Sequence, residues 1–327
     1  LQPAQPVLFA HHLLAYVEML DRDLARLERA QEAADVLPLG SAALAGTTFA
    51  IRRDVTAREL GFTAVSVNSM DAVSDRDFAV ELVAACALLI AHLSRLAEDL
   101  VLWASDEFGL IALSPRWAEG SSIMPQKRNP DAAELTRGKA GRVFGQLQSL
   151  LTTIKGVPMT YGRDLQEDKE PVFDAAATVR GALRALTVAV ASLELRPERA
   201  AERAAAGYST ATDLADYLVS KGIPFRTAYE AVKRLVADCS AAARPLSALS
   251  VDDLRQYHPA FGEDALNAIS VERSIAARNV PGGTAPTQVA TALTQATERL
   301  SRQHRHWSSL PVLTPSRSDR QATSAGA

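Results

Sequence analysis

Residues 75–106 read DRDFAVELVAACALLIAHLSRLAEDLVLWASD, an apolar-rich stretch without proline or glycine. Its larger apolar residues recur at alternating steps of four and three, at Leu82, Cys86, Leu89, Leu93, Leu96, Leu100 and Trp103. A helix of roughly 30 residues is about 45 Å long, and an apolar line of that length needs partner helices at shallow crossing angles. The stretch therefore predicts one long core helix of a bundle.

Three further segments repeat this rhythm, one after Pro6, one that begins at Asp131 and one that ends near Leu193. Their apolar positions are Leu13, Val17, Leu20, Leu24 and Leu27, then Val143, Leu147, Leu150 and Ile154, then Val172, Ala176, Val179, Leu183, Leu186, Val190 and Leu193. No segment shows the alternation of a convincing strand. We predict an all-α fold, a bundle of long helices without a substantial sheet.

The pattern changes at about residue 202. From there on, shorter helical patterns are broken by KGIP (221–224), HPAFG (258–262) and NVPGGTAP (279–286). After about residue 302 the periodicity is lost and Ser, Pro and Arg accumulate. The predicted organisation is a central long-helix bundle domain of residues 1–201, a small C-terminal helical domain of residues 202–302 and a mobile tail of residues 303–327.

The composition narrows the class of partner. The chain has 35 Lys and Arg against 38 Asp and Glu, a net charge of −3, so no positive field favours nucleic acid. No apolar run predicts a membrane span, and the histidines lack metal-ligand spacing. Cys86 and Cys239 lack CxxC spacing and are interpreted as buried thiols of a cytoplasmic protein. We expect a small-molecule partner, no metal, and an oligomer, because such long helices with few aromatics need faces covered by other subunits.

The segment GSSIMPQKRNP (120–130) interrupts the helical pattern. Asn129, Pro130 and Asp131 have the order of an N-cap, a first-turn proline and a first-turn acid, so the segment leads into a helix N-terminus, where free N–H groups favour anions. Lys127 adds a positive charge, and such a field lowers the pKa of a serine hydroxyl such as that of Ser121. The segment is either a plain connection or an anion site with a proton-transfer group.

Two more polar segments, VNSMDAVSDRDF (67–78) and YGRDLQEDKEP (161–171), precede the second and fourth helices. Their acids are interpreted as helix caps and surface ion pairs, at Asp75, Asp77, Glu167 and Glu170. Lys127 and Lys169 differ, because each lies in a loop among amide and hydroxyl side chains. These two lysines are candidates for binding a dicarboxylate.

GSSIMPQKRNP resembles the signature GSSxMPxKxNP of the fumarase/aspartase superfamily. Within that superfamily, segments such as LPLGSAALAGT, NSMDAVSDRDF, GYSTATDLADYL and PGGTAP resemble argininosuccinate lyase, and the resemblance extends from Leu1 to about residue 300. It implies a homotetrameric carbon–nitrogen lyase of arginine biosynthesis with the bundle of this superfamily. The implied reaction is the anti elimination of fumarate from argininosuccinate, which leaves arginine and requires neither metal nor organic cofactor.

The resemblance also implies roles for individual residues. Ser121 would be the catalytic serine on a mobile loop, and Lys127 and Asn129 would hold a substrate carboxylate and its developing charge. Glu134 matches the acid that pairs with the family's catalytic histidine. The residues that match substrate-binding positions are Tyr161, Gln166 and Lys169. Because the family's histidine precedes the position of Leu1, we expect the printed chain to be a C-terminal portion that is inactive alone.

Three positions depart from the family pattern. Ala118 and Glu119 replace a Ser-Thr pair, and Gly162 replaces an asparagine, so activity or the accepted leaving group could differ. Two alternative functions stay open: a lyase acting on another succinate adduct such as adenylosuccinate, and a catalytically silent helical oligomer. An assay of fumarate and arginine as products separates them.

Overall fold

A computed structural model of the chain describes residues 2–114, 119–120 and 123–309, and of residues 119 and 120 the backbone alone. The described residues form two compact units. One contains the residues up to Pro3 together with Ala15–Gly207, and the other contains Ala4–Leu14 together with the residues from Tyr208 onward. The domain limits at residues 201 and 302 remain a prediction.

Long helices dominate the first unit. The α-helices between residues 9 and 205 are α1 (Phe9–Ala34), α2 (Arg53–Leu60), α3 (Ser69–Ser74), α4 (Asp77–Ala104), α5 (Asp131–Ile154), α6 (Lys169–Ala191) and α7 (Pro197–Ala205). A 3-10 helix, Arg163–Asp168, leads into α6. The four predicted long helices are thus α1, α4, α5 and α6, and the prediction of an all-α bundle is confirmed.

The strands among the described residues are each two residues long. They are β1 (Val36–Leu37), β2 (Ala64–Val65), β3 (Ile111–Ala112), β4 (Glu119–Gly120), β5 (Arg128–Asn129) and β6 (Glu194–Leu195). β1 pairs with β2 in parallel, whereas β3 pairs with β6 and β4 with β5 in antiparallel fashion. These pairs fasten loop ends and form no substantial sheet.

The core of the first unit lies between α4, α5 and α6, which pack against one another. The predicted apolar line of α4 is buried at Cys86, Leu89, Leu93, Leu96 and Leu100. Among the described residues, α4 alone is long and apolar enough to cross a membrane, and its place in this core accounts for that composition. Both cysteines are buried, as predicted, and burial raises the pKa of Cys86 to about 11.

Helix α1 packs its predicted leucine line only partly against the core. The line is half-buried, with Leu20 and Leu27 packed on the core, whereas the most buried side chains of this helix are Tyr16, Asp23 and Ala30. Asp23 Oδ2 lies 2.7 Å from His92 Nδ1 of α4, and the Tyr16 hydroxyl donates to Asp99 of α4 at 2.5 Å. A buried carboxylate needs such a partner, so polar contacts with α4 help to set the orientation of α1.

The shorter helices of the second unit are α8 (Ala211–Ser220), α9 (Phe225–Ala241), α10 (Val251–Arg255) and α11 (Val271–Ala277), with 3-10 helices at Leu246–Ala248 and Glu263–Ile269. Its last helix, α12 (Pro286–Ser309), has 24 residues and is as long as α5. Its core is built on Leu214, Leu218, Leu235, Leu254 and Phe261. KGIP, HPAFG and NVPGGTAP all fall at breaks between helices, as predicted, apart from Pro286, which begins α12.

The last described helix extends into the predicted tail. Helix α12 continues to Ser309, so residues 303–309 are helical and not an irregular tail. Gln303 and Trp307 are half-buried and lie four residues apart on one helix face, a packing signal that the surrounding Ser and Arg obscured. Residues 310–327 lie outside the described part of the chain.

Candidate active site

The GSSIMPQKRNP segment is fastened at its two ends by β4 and β5. Glu119 lies opposite Asn129, and Gly120 opposite Arg128. Between the strands, the backbone N–H of Lys127 donates to the carbonyl of Met124 at 3.0 Å, and the Lys127 side chain is exposed. Ser121, the predicted catalytic serine, lies outside the described residues. Because a single residue, Pro130, separates the end of β5 from the start of α5, the segment does deliver its residues to a helix N-terminus.

The cap of α5 differs from the prediction by one residue. Asn129 lies in β5, and Pro130 is the N-cap, with its carbonyl accepting from the N–H of Glu134 at 3.0 Å. Proline has no side-chain acceptor, so the N-cap residue of α5 makes no side-chain cap hydrogen bond. The first-turn N–H groups of a helix favour an anion. Glu134, the predicted catalytic acid, lies half-buried in this turn.

The predicted binding residues Tyr161 and Gln166 meet in the structure. The side-chain amide of Gln166 donates to the Tyr161 hydroxyl, and both residues are exposed. Leu165, between them in the chain, is 2% exposed and fixes the 3-10 helix to the bundle. Thr160, which precedes Tyr161, has a φ of +85°, and a β-branched residue in this left-handed region indicates a strained, specified backbone.

Lys169 begins α6 and belongs to a cluster of three charges. Its Nζ lies 2.7 Å from Oδ1 of Asp168, and the other carboxylate oxygen of Asp168 accepts from Nε of Arg76. Burial by itself raises the pKa of Asp168, but hydrogen bonds from Lys169 and Arg76 outweigh it and hold this pKa below its ordinary value. The carboxylate is therefore ionised at neutral pH, between two cations.

A cavity of about 790 Å³ opens beside this cluster, between the end of α1, the start of α4 and the start of α6. Its charged lining comprises Asp71, Asp75, Arg76, Asp168 and Lys169, and its apolar lining includes Val36, Phe62, Val65, Phe78 and Phe173. The two polar segments 67–78 and 161–171 therefore meet at one site. Asp75 lies just before the N-cap residue of α4, and its Oδ1 satisfies a first-turn donor of this helix by accepting from the N–H of Asp77 at 2.7 Å.

The sequence analysis missed Arg76 and Asp168. Both belong to charge-rich segments whose acids were interpreted as surface groups, and nothing in the local pattern shows that these two side chains meet 92 residues apart. The structure brings Tyr161 to Gln166 and Lys169 to Asp168. Among the described residues, no hydrogen bond or ion pair joins these groups to Lys127, Asn129 or Glu134, the predicted residues of the loop and of α5.

Comparison with known proteins assigns the family. Residues 1–145 match the Lyase family, and residues 208–276 match the family described as argininosuccinate lyase C-terminal. An argininosuccinate lyase from Pelotomaculum thermopropionicum is 54% identical over 300 residues, which cover 92% of this chain and 65% of the relative. The chain belongs to the argininosuccinate lyase family. It spans about two thirds of the length of this curated relative.

Solved structures share the fold of this chain. An EDDS lyase variant with bound fumarate has a TM-score of 0.82 and 30% identity, covering 93% of this chain and 62% of that chain. The 3-carboxy-cis,cis-muconate lactonizing enzyme from Pseudomonas putida has a TM-score of 0.71 and 22% identity, covering 90% of this chain and 64% of that chain, and shows the fold alone. The predicted bundle of the fumarase/aspartase superfamily is thus confirmed.

One of the three departures from the argininosuccinate lyase pattern has a structural consequence. A Cβ on Gly162 would lie 2.8 Å from Cγ1 of Val157 and 3.4 Å from Oδ2 of Asp164. An asparagine at this position would therefore require Val157 to move. Of the other two, Ala118 lies outside the described residues, and Glu119 is described only by its backbone in β4.

Proposed function

We propose that the protein containing this chain is an argininosuccinate lyase that releases fumarate and leaves arginine, as a step of arginine biosynthesis in the cytoplasm. The observation that carries the proposal is the 54% identity to an argininosuccinate lyase over 92% of the chain, against 30% identity to the EDDS lyase variant. The substrate is a small dicarboxylate adduct, in keeping with the lysines and amides of the candidate site.

The proposed chemistry divides between the loop and α5. Ser121 transfers the proton, and Lys127 and Asn129 hold the carboxylate whose oxygens take up negative charge as the Cβ proton leaves. Lys127 suits this role because its ammonium is exposed and makes no ion pair with any of the described residues. Glu134, half-buried in the first turn of α5, holds the histidine that the family resemblance assigns to the reaction.

Binding of the remainder of the substrate falls to Tyr161, Gln166 and Lys169. The hydroxyl and amide of the first two are already hydrogen-bonded to each other and exposed, so they offer a donor and an acceptor without a large rearrangement. Lys169 supplies the full charge that a carboxylate requires. Closure of the loop between β4 and β5 over the substrate then excludes water from the developing charge.

The same proposal includes a homotetramer. Helix α5 carries Gly138, Gly141 and Gly145 on one face, and a Cβ on each would meet nothing within 4 Å. Leu135, Phe144 and Leu151 on this helix are exposed by 63%, 46% and 41%. Glycines permit close backbone approach, and exposed apolar side chains of this size are typical of an interface, so the occupant is a helix of a second copy.

The oligomer is tested with a substitution that does not weaken the helix itself. Gly141→Leu raises helix propensity but fills the space at which another backbone would approach. Light scattering coupled to gel filtration should show a tetramer for the unaltered protein and smaller species for Gly141→Leu, with Gly141→Ala in between. If the Gly141→Leu variant is still a tetramer, the glycine face of α5 does not lie in the subunit interface.

The activity is tested by ultraviolet detection of fumarate from argininosuccinate, adenylosuccinate and EDDS. We expect argininosuccinate to have the highest kcat/KM. Lys127→Gln should lower that value by at least about tenfold, since it removes a charge-assisted contact. Arg128→Gln, the neighbouring exposed cation without an assigned role, is the matched control and should change it little. Faster turnover of either other adduct would reassign the substrate.

A further inference from the structure

We propose that Arg76 is a positioning residue for Lys169, acting through Asp168, which contacts both side chains. The inference rests on the proposed role of Lys169 in binding a substrate carboxylate. It extends the candidate site to the start of α4, which none of the predicted binding residues occupies. Arg76 itself does not bind the substrate in this account.

Burial separates the roles of the three side chains. The side chains of Arg76 and Asp168 are 15% and 11% exposed, whereas that of Lys169 is 52% exposed. The first two are therefore the interior part of the cluster, and the ammonium of Lys169 is the part that solvent, and hence a ligand, can reach. A ligand carboxylate that contacts Lys169 meets an ammonium already held on its inner side by Asp168.

Arg76 is itself held at two points. Its Nη1 donates to the backbone carbonyl of Asp75 at 2.6 Å, while its Nε donates to Asp168. Because Arg76 is the N-cap residue of α4, both contacts start from a backbone fixed by a long core helix. The planar guanidinium can satisfy two acceptors in fixed directions, which a lysine cannot do. The orientation of the Asp168 carboxylate is thus set from α4.

The balance of charge explains why Lys169 depends on this arrangement. With Arg76 present, the single negative charge of Asp168 is shared between two cations, and the cluster keeps one net positive charge for a ligand. Without Arg76, the buried carboxylate of Asp168 would pair with Lys169 alone and draw its ammonium inward. Lys169 would then be neutralised by its own chain, and the affinity for a dicarboxylate would fall.

A purely structural role is the competing explanation, because the Arg76–Asp168 pair also joins the starts of α4 and α6. The two explanations differ in one measurable respect. If Arg76 acts through Lys169, its removal should have no effect on ligand affinity once Lys169 is gone. If it only braces the helices, its removal should weaken the ligand equally in both backgrounds.

The experiment is a double-mutant cycle on the natural protein that contains this chain, with succinate as the probe and calorimetry as the readout. Lys169→Met should weaken succinate binding by about tenfold or more, and Arg76→Gln by about tenfold. In the Lys169→Met background, Arg76→Gln should change the dissociation constant by less than about twofold. With argininosuccinate, Arg76→Gln should raise KM by a similar factor and leave kcat nearly unchanged.

Arg278→Gln is the matched control. Arg278 pairs with Asp213 at 2.9 Å in the second unit, and the two side chains are 22% and 11% exposed, close to the values for Arg76 and Asp168. This variant should lower the melting temperature as Arg76→Gln does, without changing succinate affinity. If Arg76→Gln does not fold, Arg76→Lys enters the same cycle, with a smaller weakening that must also vanish with Lys169→Met.

The outcomes separate this inference from the proposed function. An equal effect of Arg76→Gln in both backgrounds, or no effect while Lys169→Met weakens binding, overturns the positioning role alone. If Lys169→Met leaves succinate affinity unchanged, both the binding role of Lys169 and the inference fail. If the coupling is found but argininosuccinate yields no fumarate, the positioning role stands and the proposed reaction fails.

Discussion

Lys127 and Lys169 were selected from the sequence on the same grounds, yet the structure surrounds them differently. Lys169 begins a long helix, lies 2.7 Å from Asp168, and follows a segment held in the bundle by the buried Leu165. Lys127 lies exposed in a loop whose two ends pair as the short strands β4 and β5. Lys169 is therefore held by an ion pair within the described chain, whereas the side chain of Lys127 is exposed to solvent.

With the roles proposed above, this difference would place substrate binding on a packed segment and proton transfer on an exposed loop. A binding residue gains from neighbours that hold it in place before the ligand binds. A proton-transfer group on a loop benefits first from an open site that the substrate can enter and then from closure of the loop over the bound substrate. Each of the following experiments either separates the two regions further or removes the distinction.

The largest effect is expected at Ser121. Ser121→Ala removes the proposed proton-transfer hydroxyl with little change in volume, so kcat should fall by about 10²- to 10⁴-fold while KM changes little. Steady-state fumarate release measures both. Ser122→Ala, the adjacent serine, is the control and should retain most of the activity. An unchanged kcat for Ser121→Ala would show that Ser121 is not the proton-transfer group.

The next effect concerns stability and compares the two regions directly. Leu165→Ala removes a fully buried side chain from the fixed segment and should cost about 2–5 kcal/mol in the free energy of unfolding. Ile123→Ala removes a side chain that is 85% exposed in the loop and should cost less than about 0.5 kcal/mol. Urea unfolding measures both. Equal losses would mean that the loop is packed as firmly as the binding segment.

A smaller effect depends on pH. The pKa of Asp168 is lower in the folded chain than in the unfolded one, so its ionised form contributes stability above the unfolded pKa, and this is lost as pH falls through the folded pKa. Asp168→Asn should therefore lower the free energy of unfolding by about 2 kcal/mol near neutral pH, and this loss should become smaller below about pH 4. Asp54→Asn, at the exposed pair with Arg52, should show no comparable deficit. A deficit for Asp168→Asn that is independent of pH would contradict this assignment.

The smallest effect is expected at Gly162. Gly162→Asn introduces the residue that the family pattern carries, but its Cβ meets Val157, so it should cost about 1 kcal/mol and leave fumarate release largely unchanged. The double variant Gly162→Asn with Val157→Ala should cost less than the sum of the two single changes, as thermal unfolding can show. If the stability losses of the two single variants simply add, the segment accommodates the asparagine without a displacement of Val157.

The sequence predicted the elements whose signals are local. The apolar rhythm located α4 to within about two residues at each end, and Asp131 marked the start of α5. Glycine and proline clusters marked the breaks in the second unit. The motif GSSIMPQKRNP and the similarity around it gave the family, which the comparisons confirm. Each of these signals depends on residues that are close together in the sequence, so it can be recognised without the tertiary structure.

Contacts between distant segments were decided only by the tertiary structure. The face that α1 buries depends on the match of Asp23 to His92, and the partner of Asp168 is an arginine on another helix. Both choices depend on where helices start and cross, because a charged side chain is stable in the interior only where a hydrogen-bonding or oppositely charged partner reaches it. Periodicity states that a residue faces inward, but the packing of whole helices determines what it meets there.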